Sequence, residues 1–171
     1  MSKLPPAINF KQWIEDNRHL LKPPVGNKAI YNDDYIVMVV GGPNSRKDYH
    51  VNQTPEFFYQ VEGDITLKVI ENGEPRDIHI KEGEVFYLPP NIPHSPQRDA
   101  DTVGLVIEQR RPNGVEDGLA WFCENCHRKL HEEPFALQNI EVDMPIIFDK
   151  YYADESLRTC DACGTQMQPP N

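Results

Sequence analysis

The chain has 171 residues, with 17 basic against 27 acidic side chains, a net charge of −10 and a pI near 5.0. That length allows one compact domain with its own core and a short extension. So acidic a surface repels nucleic acid phosphates and anionic lipid, so neither nucleic acid nor a membrane is expected as a partner.

The stretch Met1-Ser2-Lys3-Leu4-Pro5-Pro6 lacks the apolar core of a signal peptide. No apolar run approaches the ~18 residues of a membrane span. A soluble, cytoplasmic protein is therefore expected. In that reducing setting four cysteines in two Cys-x-x-Cys pairs read as metal ligands rather than disulfides.

In chain order, Asn9 is placed to cap a first helix, with Gln12 at the capping-box position. Phe10, Trp13, Ile14 and Leu21 mark its apolar face, and Pro23-Pro24 stops it. From about Ile30 the period changes. Tyr35 to Val40 is a β-branched run ended by Gly41-Gly42-Pro43, and Phe57 to Val61 follows. Ile65, Leu67 and Val69 then alternate with polar neighbours. Asn72-Gly73 is a type I′ hairpin signal, and Ile78 and Ile80 resume the alternation beyond it. Val85 to Leu88 and Val103 to Ile107 are further strands. About six short strands punctuated by Gly and Pro indicate a sandwich or barrel. After residue 112 the texture becomes a cysteine-bearing tail, with helix-like stretches at Glu132–Leu137 and Ile146–Leu157. The expected division is a helix-plus-barrel unit over 1–112 and a metal-binding extension over 113–171.

Two constellations carry chemistry. In the first, His50 and Glu56 lie near the start of one strand, and His94 lies just beyond another. Arg46 precedes His50 by four residues and Arg98 follows His94 by four, while Glu108 ends the strand from Val103. Two guanidiniums near one metal repel each other, and an organic carboxylate between them resolves that. In the second, Cys123-Glu-Asn-Cys126 and Cys160-Asp-Ala-Cys163 form two knuckles suited to one tetrahedral Zn or Fe ion. The run Cys123-Glu-Asn-Cys126-His127 also matches a c-type haem attachment pattern, but the second pair uses those cysteines more simply. His19, His79 and His131 read as ordinary polar residues.

The segments Gly42 to Gly63 and Gly83 to His94 resemble the paired motifs of the cupin superfamily, small antiparallel β-barrels (jelly rolls) that bind a metal inside. Two positions depart from the pattern: Asn52 stands where a second His is usual, and Asn91 where a Gly is usual. The first departure leaves two imidazoles and one carboxylate, a set that suits non-haem Fe(II) and leaves positions open. Together with Gly26-Asn27, Arg46, Arg98, Glu108 and the four cysteines, nearly the whole chain resembles one cupin family, the 3-hydroxyanthranilate 3,4-dioxygenases in their short form. The resemblance implies Fe(II) on His50, Glu56 and His94. It implies substrate contacts from Arg46 and Arg98, with Glu56 and Glu108 also facing the substrate and Glu108 managing a proton, and a dioxygen-ordering role for Asn27. It further implies ring opening by O₂ to 2-amino-3-carboxymuconate semialdehyde, which closes to quinolinate on the way to NAD. A homodimer is expected by analogy. The alternatives are another metal cupin enzyme, such as a thiol dioxygenase or isomerase, and a non-enzymatic metal-binding interaction protein.

Overall fold

Alternating apolar residues need a partner layer, and in the computed structural model, which describes residues 4–23, 26–44, 46–137 and 140–170, two antiparallel sheets supply it. One sheet runs β1 (Asn27–Asn32), β2 (Tyr35–Gly41), β9 (Val103–Gln109), β4 (Glu56–Glu62), β7 (Val85–Leu88). The other runs β11 (Lys129–Phe135), β10 (Asp117–Phe122), β3 (Tyr49–Val51), β8 (His94–Arg98), β5 (Ile65–Glu71), β6 (Glu74–Ile80). The fold is mainly β, with two antiparallel sheets, as the expected barrel or sandwich requires. Met38, Phe58, Ile65, Leu67, Val69, Ile80, Leu88 and Val106 form one buried core cluster. In β5 the period of two is plain: Ile65, Leu67 and Val69 are buried while Lys68 is exposed.

The hairpin from β5 to β6 turns on Asn72 and Gly73, both at positive φ (54° and 86°), as a type I′ turn requires. The first helix also forms as read. α1 (Phe10–Asn17) is capped by Asn9, whose side-chain oxygen accepts from the Gln12 amide at 3.2 Å. The Gln12 side chain bonds Asp16 instead of reaching back, so only half of the capping box is made. A 3₁₀ turn, Arg18–Leu20, follows, and Pro24 lies outside the described residues. Ile14 and Leu21 pack on Val39 and Val103, and Arg18 pairs with Glu62 of β4 at 2.8 Å. A side chain at Gly41 would meet the Leu21 carbonyl oxygen at 2.1 Å, so only glycine lets this segment cross β2 so closely.

Several elements differ from expectation. β1 and β3 had no strong alternation to reveal them, and His94 opens β8 rather than trailing β7. Glu132–Leu137 is not helical: residues 129–135 form β11, paired with β10. Its charges and Pro134 read poorly as a strand, but β11 is an edge, where both are tolerated. The tail helix is α2 (Ile140–Ala153), which starts and ends earlier than read. The six-stranded sheet also runs on past residue 112, because β10 pairs directly with β3. Trp121 of β10 stacks on Tyr151 of α2 at 4.0 Å, and Leu119, Met144 and Met167 complete that cluster. Among the described residues no helix is long and apolar enough to cross a membrane.

Ile14 is 2% exposed, so Ile14→Ala removes buried methyl groups and leaves a cavity between α1 and the barrel. The expected cost is about 2–4 kcal/mol in a denaturant titration; a loss below ~0.5 kcal/mol would mean that α1 does not contribute to the core.

Candidate metal centre and substrate cavity

Register brings the first constellation together. His50 of β3 lies directly opposite His94 of β8, and Glu56 of β4 lies directly opposite Glu108 of β9. The two pairs belong to different sheets, so their side chains meet between the layers. His94 Nε2 lies 3.1 Å and His50 Nδ1 3.6 Å from Glu56 Oε1. One ligand atom from each residue lies within 4.8 Å of the others, and all three residues are buried. Each ring's other nitrogen is already engaged: His50 Nε2 with Asp117 Oδ2 at 2.6 Å, His94 Nδ1 with the Ile92 carbonyl at 3.0 Å. Such partners fix the ring and leave the inward nitrogen free to coordinate.

The electrostatics fit a cation. Burial alone would raise the Glu56 carboxyl, but the two imidazoles outweigh it and hold the group at about 2. Burial also works to lower His94, yet the Glu56 charge prevails and raises it. The centre thus draws positive charge, and two imidazoles with one carboxylate can hold a divalent transition metal. Asn52, in place of a further His, is buried and positions the carboxylate. Its Nδ2 donates to Glu56 at 3.1 Å, while its Oδ1 accepts from the Thr54 amide and hydroxyl at 2.9 and 2.8 Å. Asn91 adopts φ of 64°, a conformation that glycine takes freely and asparagine tolerates.

A cavity of about 450 Å³ opens onto the triad and is lined also by Asn27, Arg46, Arg98 and Glu108, so every residue of the first constellation meets in one space. The two arginines differ. Arg46 is neutralised by Asp48, whose carboxylate accepts from its Nε at 3.0 and 3.1 Å and from its Nη2. Arg98 is 3% exposed and forms no ion pair among the described residues. Its Nη1 donates to Gln60 Oε1 at 3.2 Å, its Nε has no partner among the described residues, and burial pushes the guanidinium down to about 10. An uncompensated buried cation beside a cavity calls for an anionic ligand. Glu108 is raised by burial and then by the Glu56 charge, against the pull of Arg111.

Sequence reasoning missed Asp117, Arg111, Gln60 and the role of Asn52. Arg111 donates to Glu108 Oε2 at 2.5 Å and to both Asp117 oxygens at 2.8 and 2.6 Å. Its place three residues after Glu108 was the only local hint. Asp117 is 67 positions from His50, and nothing local connects them.

The four cysteine sulfurs also converge within 4.8 Å of one another. Both knuckles are built alike: the His127 amide donates to the Cys123 carbonyl and the Gly164 amide to the Cys160 carbonyl, each at 2.9 Å. His127 and Gly164 both take positive φ, 60° and 72°, which turns the chain back after each pair. His127 thus has a backbone role in the knuckle. The Thr165 hydroxyl, 3.3 Å from Cys163 Sγ, together with the Thr165 amide and Asn125, lowers that thiol to about 5. At Cys126 the Arg128 backbone works to lower the thiol, but the Cys160 sulfur helps push it up to about 12, so the cluster holds its protons unevenly. Cys123 directly follows β10, whose first residue is Asp117, so a single strand joins the two sites.

Residues 1–152 match the family model of 3-hydroxyanthranilic acid dioxygenase. The chain belongs to this family. A 3-hydroxyanthranilate 3,4-dioxygenase of Xanthomonas euvesicatoria pv. vesicatoria is 57% identical over 159 residues, covering 93% of this chain and 90% of its own. One from Neurospora crassa is 50% identical over 157 residues, covering 92% and 87%. Among solved structures, a cupin-2 domain protein from Shewanella frigidimarina superposes with a TM-score of 0.49 at 22% identity, over 60% of this chain and 94% of its own. The match to the 3-hydroxyanthranilic acid dioxygenase model takes in every residue that lines the cavity except Pro170, and the first cysteine pair.

Gly104 of β9 gives a selective test of the Arg98 side of the cavity. A Cβ there would fall 2.8 and 2.9 Å from the Arg98 Nη atoms and 2.9 Å from Gln60 Oε1, all ends of flexible side chains. Gly104→Ala is therefore expected to fold and to keep its metal while displacing the guanidinium. Affinity for an aromatic acid, measured by calorimetry, should fall about tenfold; unchanged affinity would mean that Arg98 does not face the ligand.

Proposed function

We propose that the chain opens the aromatic ring of 3-hydroxyanthranilate with O₂, using Fe(II) on His50, Glu56 and His94, to give 2-amino-3-carboxymuconate semialdehyde. That product closes to quinolinate and so feeds NAD synthesis in the cytoplasm. The reading rests above all on Arg98, a buried guanidinium without an acid partner among the described residues, set in the same cavity as a two-imidazole, one-carboxylate centre. Family membership and the substrate named for both curated relatives support the choice of ring.

When bound, Fe(II) supplies the single-electron reactivity through which O₂ combines with a closed-shell aromatic ring. The chain's own residues do the rest. Arg98, with Arg46 nearby, neutralises the ring carboxylate and fixes the ring's orientation, so that its hydroxyl and amine face the metal centre. Glu108, held above the ordinary carboxylate range, accepts the phenolic proton as the hydroxyl is engaged and returns it during ring opening. Met38, Phe58 and Val106 line the cavity with apolar surface that packs the ring and keeps water away. Asn27 lines the same cavity and is assigned to the dioxygen side. The cysteine cluster takes a second Fe or Zn ion and ties the tail, with β10, to the barrel. A homodimer through the outer face of the five-stranded sheet is part of the proposal, since Tyr35, Val85 and Tyr87 there are 57%, 60% and 59% exposed.

Anaerobic loading with Fe(II), followed by 3-hydroxyanthranilate and air, tests the assignment by O₂ uptake and appearance of the ring-opened product. Stoichiometric uptake is expected, and Arg98→Met should raise KM about ten- to hundredfold while iron content stays constant. A fully iron-loaded protein that consumes no O₂ with this substrate would overturn it.

A further inference from the structure

The Arg111 side chain is 7% exposed and lies against two carboxylates whose own side chains are 5% and 0% exposed. It binds them asymmetrically. Asp117 takes a two-point fork, Nε to Oδ1 at 2.8 Å and Nη2 to Oδ2 at 2.6 Å, while Nη1 reaches Glu108 Oε2 at 2.5 Å. Asp117 Oδ2 lies in turn 2.6 Å from His50 Nε2, and Glu108 lines the substrate cavity. One planar group thus touches both the acid that aims a metal-facing imidazole and the acid that faces the ring. The two acids come from different sheets, β9 and β10, and no strand pairing joins those two strands.

We infer that Arg111 is a positioning residue for ring opening: its guanidinium locks Glu108 and Asp117 in one frame, and so fixes the proton-handling carboxylate relative to the His50 face of the metal centre. The inference rests on the reaction proposed above. Charge alone does not explain the geometry. A lysine ammonium can neutralise one carboxylate, but only a planar fork can satisfy Asp117 at two points and Glu108 at a third. Asn52 adds a weaker link to the same Glu108 oxygen, its Nδ2 lying 3.1 Å from Glu56 Oε1 and 3.5 Å from Glu108 Oε2. With Arg111 removed, Glu108 and Asp117 lose their common cation, and the His50 ring loses the fixed orientation of its partner. Substrate capture by Arg98 and Arg46 does not involve Arg111, so binding and turnover should separate.

The space beside Arg111 provides the means to test this. A second cavity, of about 570 Å³, is lined by Arg111, Asn113, Gly114 and Val115 and shares Asn27, Met38 and Glu108 with the substrate cavity. A small guanidinium can enter there and occupy the space vacated in an Arg111→Ala variant. Three measurements on the full-length protein follow: kcat and KM with Fe(II), the absorption bands of the Co(II)-loaded protein, and kcat of Arg111→Ala with added methylguanidinium.

In both Arg111→Lys and Arg111→Ala, kcat is expected to fall about ten- to hundredfold. KM should stay within about threefold, since the groups that capture the carboxylate are untouched. The Co(II) bands should shift in both variants, and methylguanidinium should restore several-fold activity to Arg111→Ala only. An Arg111→Lys protein with wild-type kcat and Co(II) bands would overturn the inference, as would a rise in KM at constant kcat. If Arg111→Ala does not fold, Arg111→Lys carries the test alone. A wild-type protein without turnover would refute the reaction proposed above, and the Co(II) bands would still decide whether Arg111 positions the centre.

Discussion

Placing charge out of water governs this structure. Glu56, Glu108, Asp117, His50, His94 and Arg98 are all buried between two sheets, where an unpaired ion costs several kcal/mol even after relaxation. Nearly every one of these charges is answered by a neighbour: Glu56 by two imidazoles, Asp117 by His50 and Arg111, Glu108 by Arg111. Two demands are left over. The centre between His50, Glu56 and His94 favours a cation, and Arg98 favours an anion. A divalent metal and an aromatic carboxylate supply both, so the chemistry follows from which charges the fold leaves unanswered.

The architecture serves that arrangement through register. β3 and β8 place the imidazoles opposite one another, and β4 and β9 do the same for Glu56 and Glu108. β10 then adds Asp117 at one end and leads into the cysteine cluster at the other. The Trp121–Tyr151 stack holds α2 on that strand, and Met144 and Phe148 of α2 border the cavity. The tail therefore contributes walls as well as an anchor. A cysteine-bound metal would steady the strand that carries the His50 partner, which gives it a structural reason to be there without any part in the reaction.

What could be read from the sequence followed from locality. The Asn9 cap, the Asn72-Gly73 turn, the alternation of Ile65 to Val69 and the two cysteine knuckles are short-range patterns, and each appears as read. The triad and its flanking arginines were legible because the cupin motifs concentrate them in two segments. The strand at 129–135 was misread, since its acids and Pro134 are tolerated only at a sheet edge, which is a property of the assembled sheet. Asp117 and Arg111 were invisible for a related reason. Their meaning lies in partners brought close by β10 pairing with β3. Arg46 was read as a second uncompensated cation, and only the assembled cavity shows that Asp48 neutralises it, leaving that place to Arg98.

The most direct measurement is Fe(II) affinity of the barrel centre in Glu56→Gln, determined anaerobically by competition with a chelator beside the wild type. The exchange keeps shape while removing the one anionic ligand. The expected result is a protein that melts at the wild-type temperature without metal yet binds Fe(II) at least about a hundredfold more weakly. Wild-type Fe(II) affinity in Glu56→Gln would contradict the assignment of the buried carboxylate as the group that holds the metal.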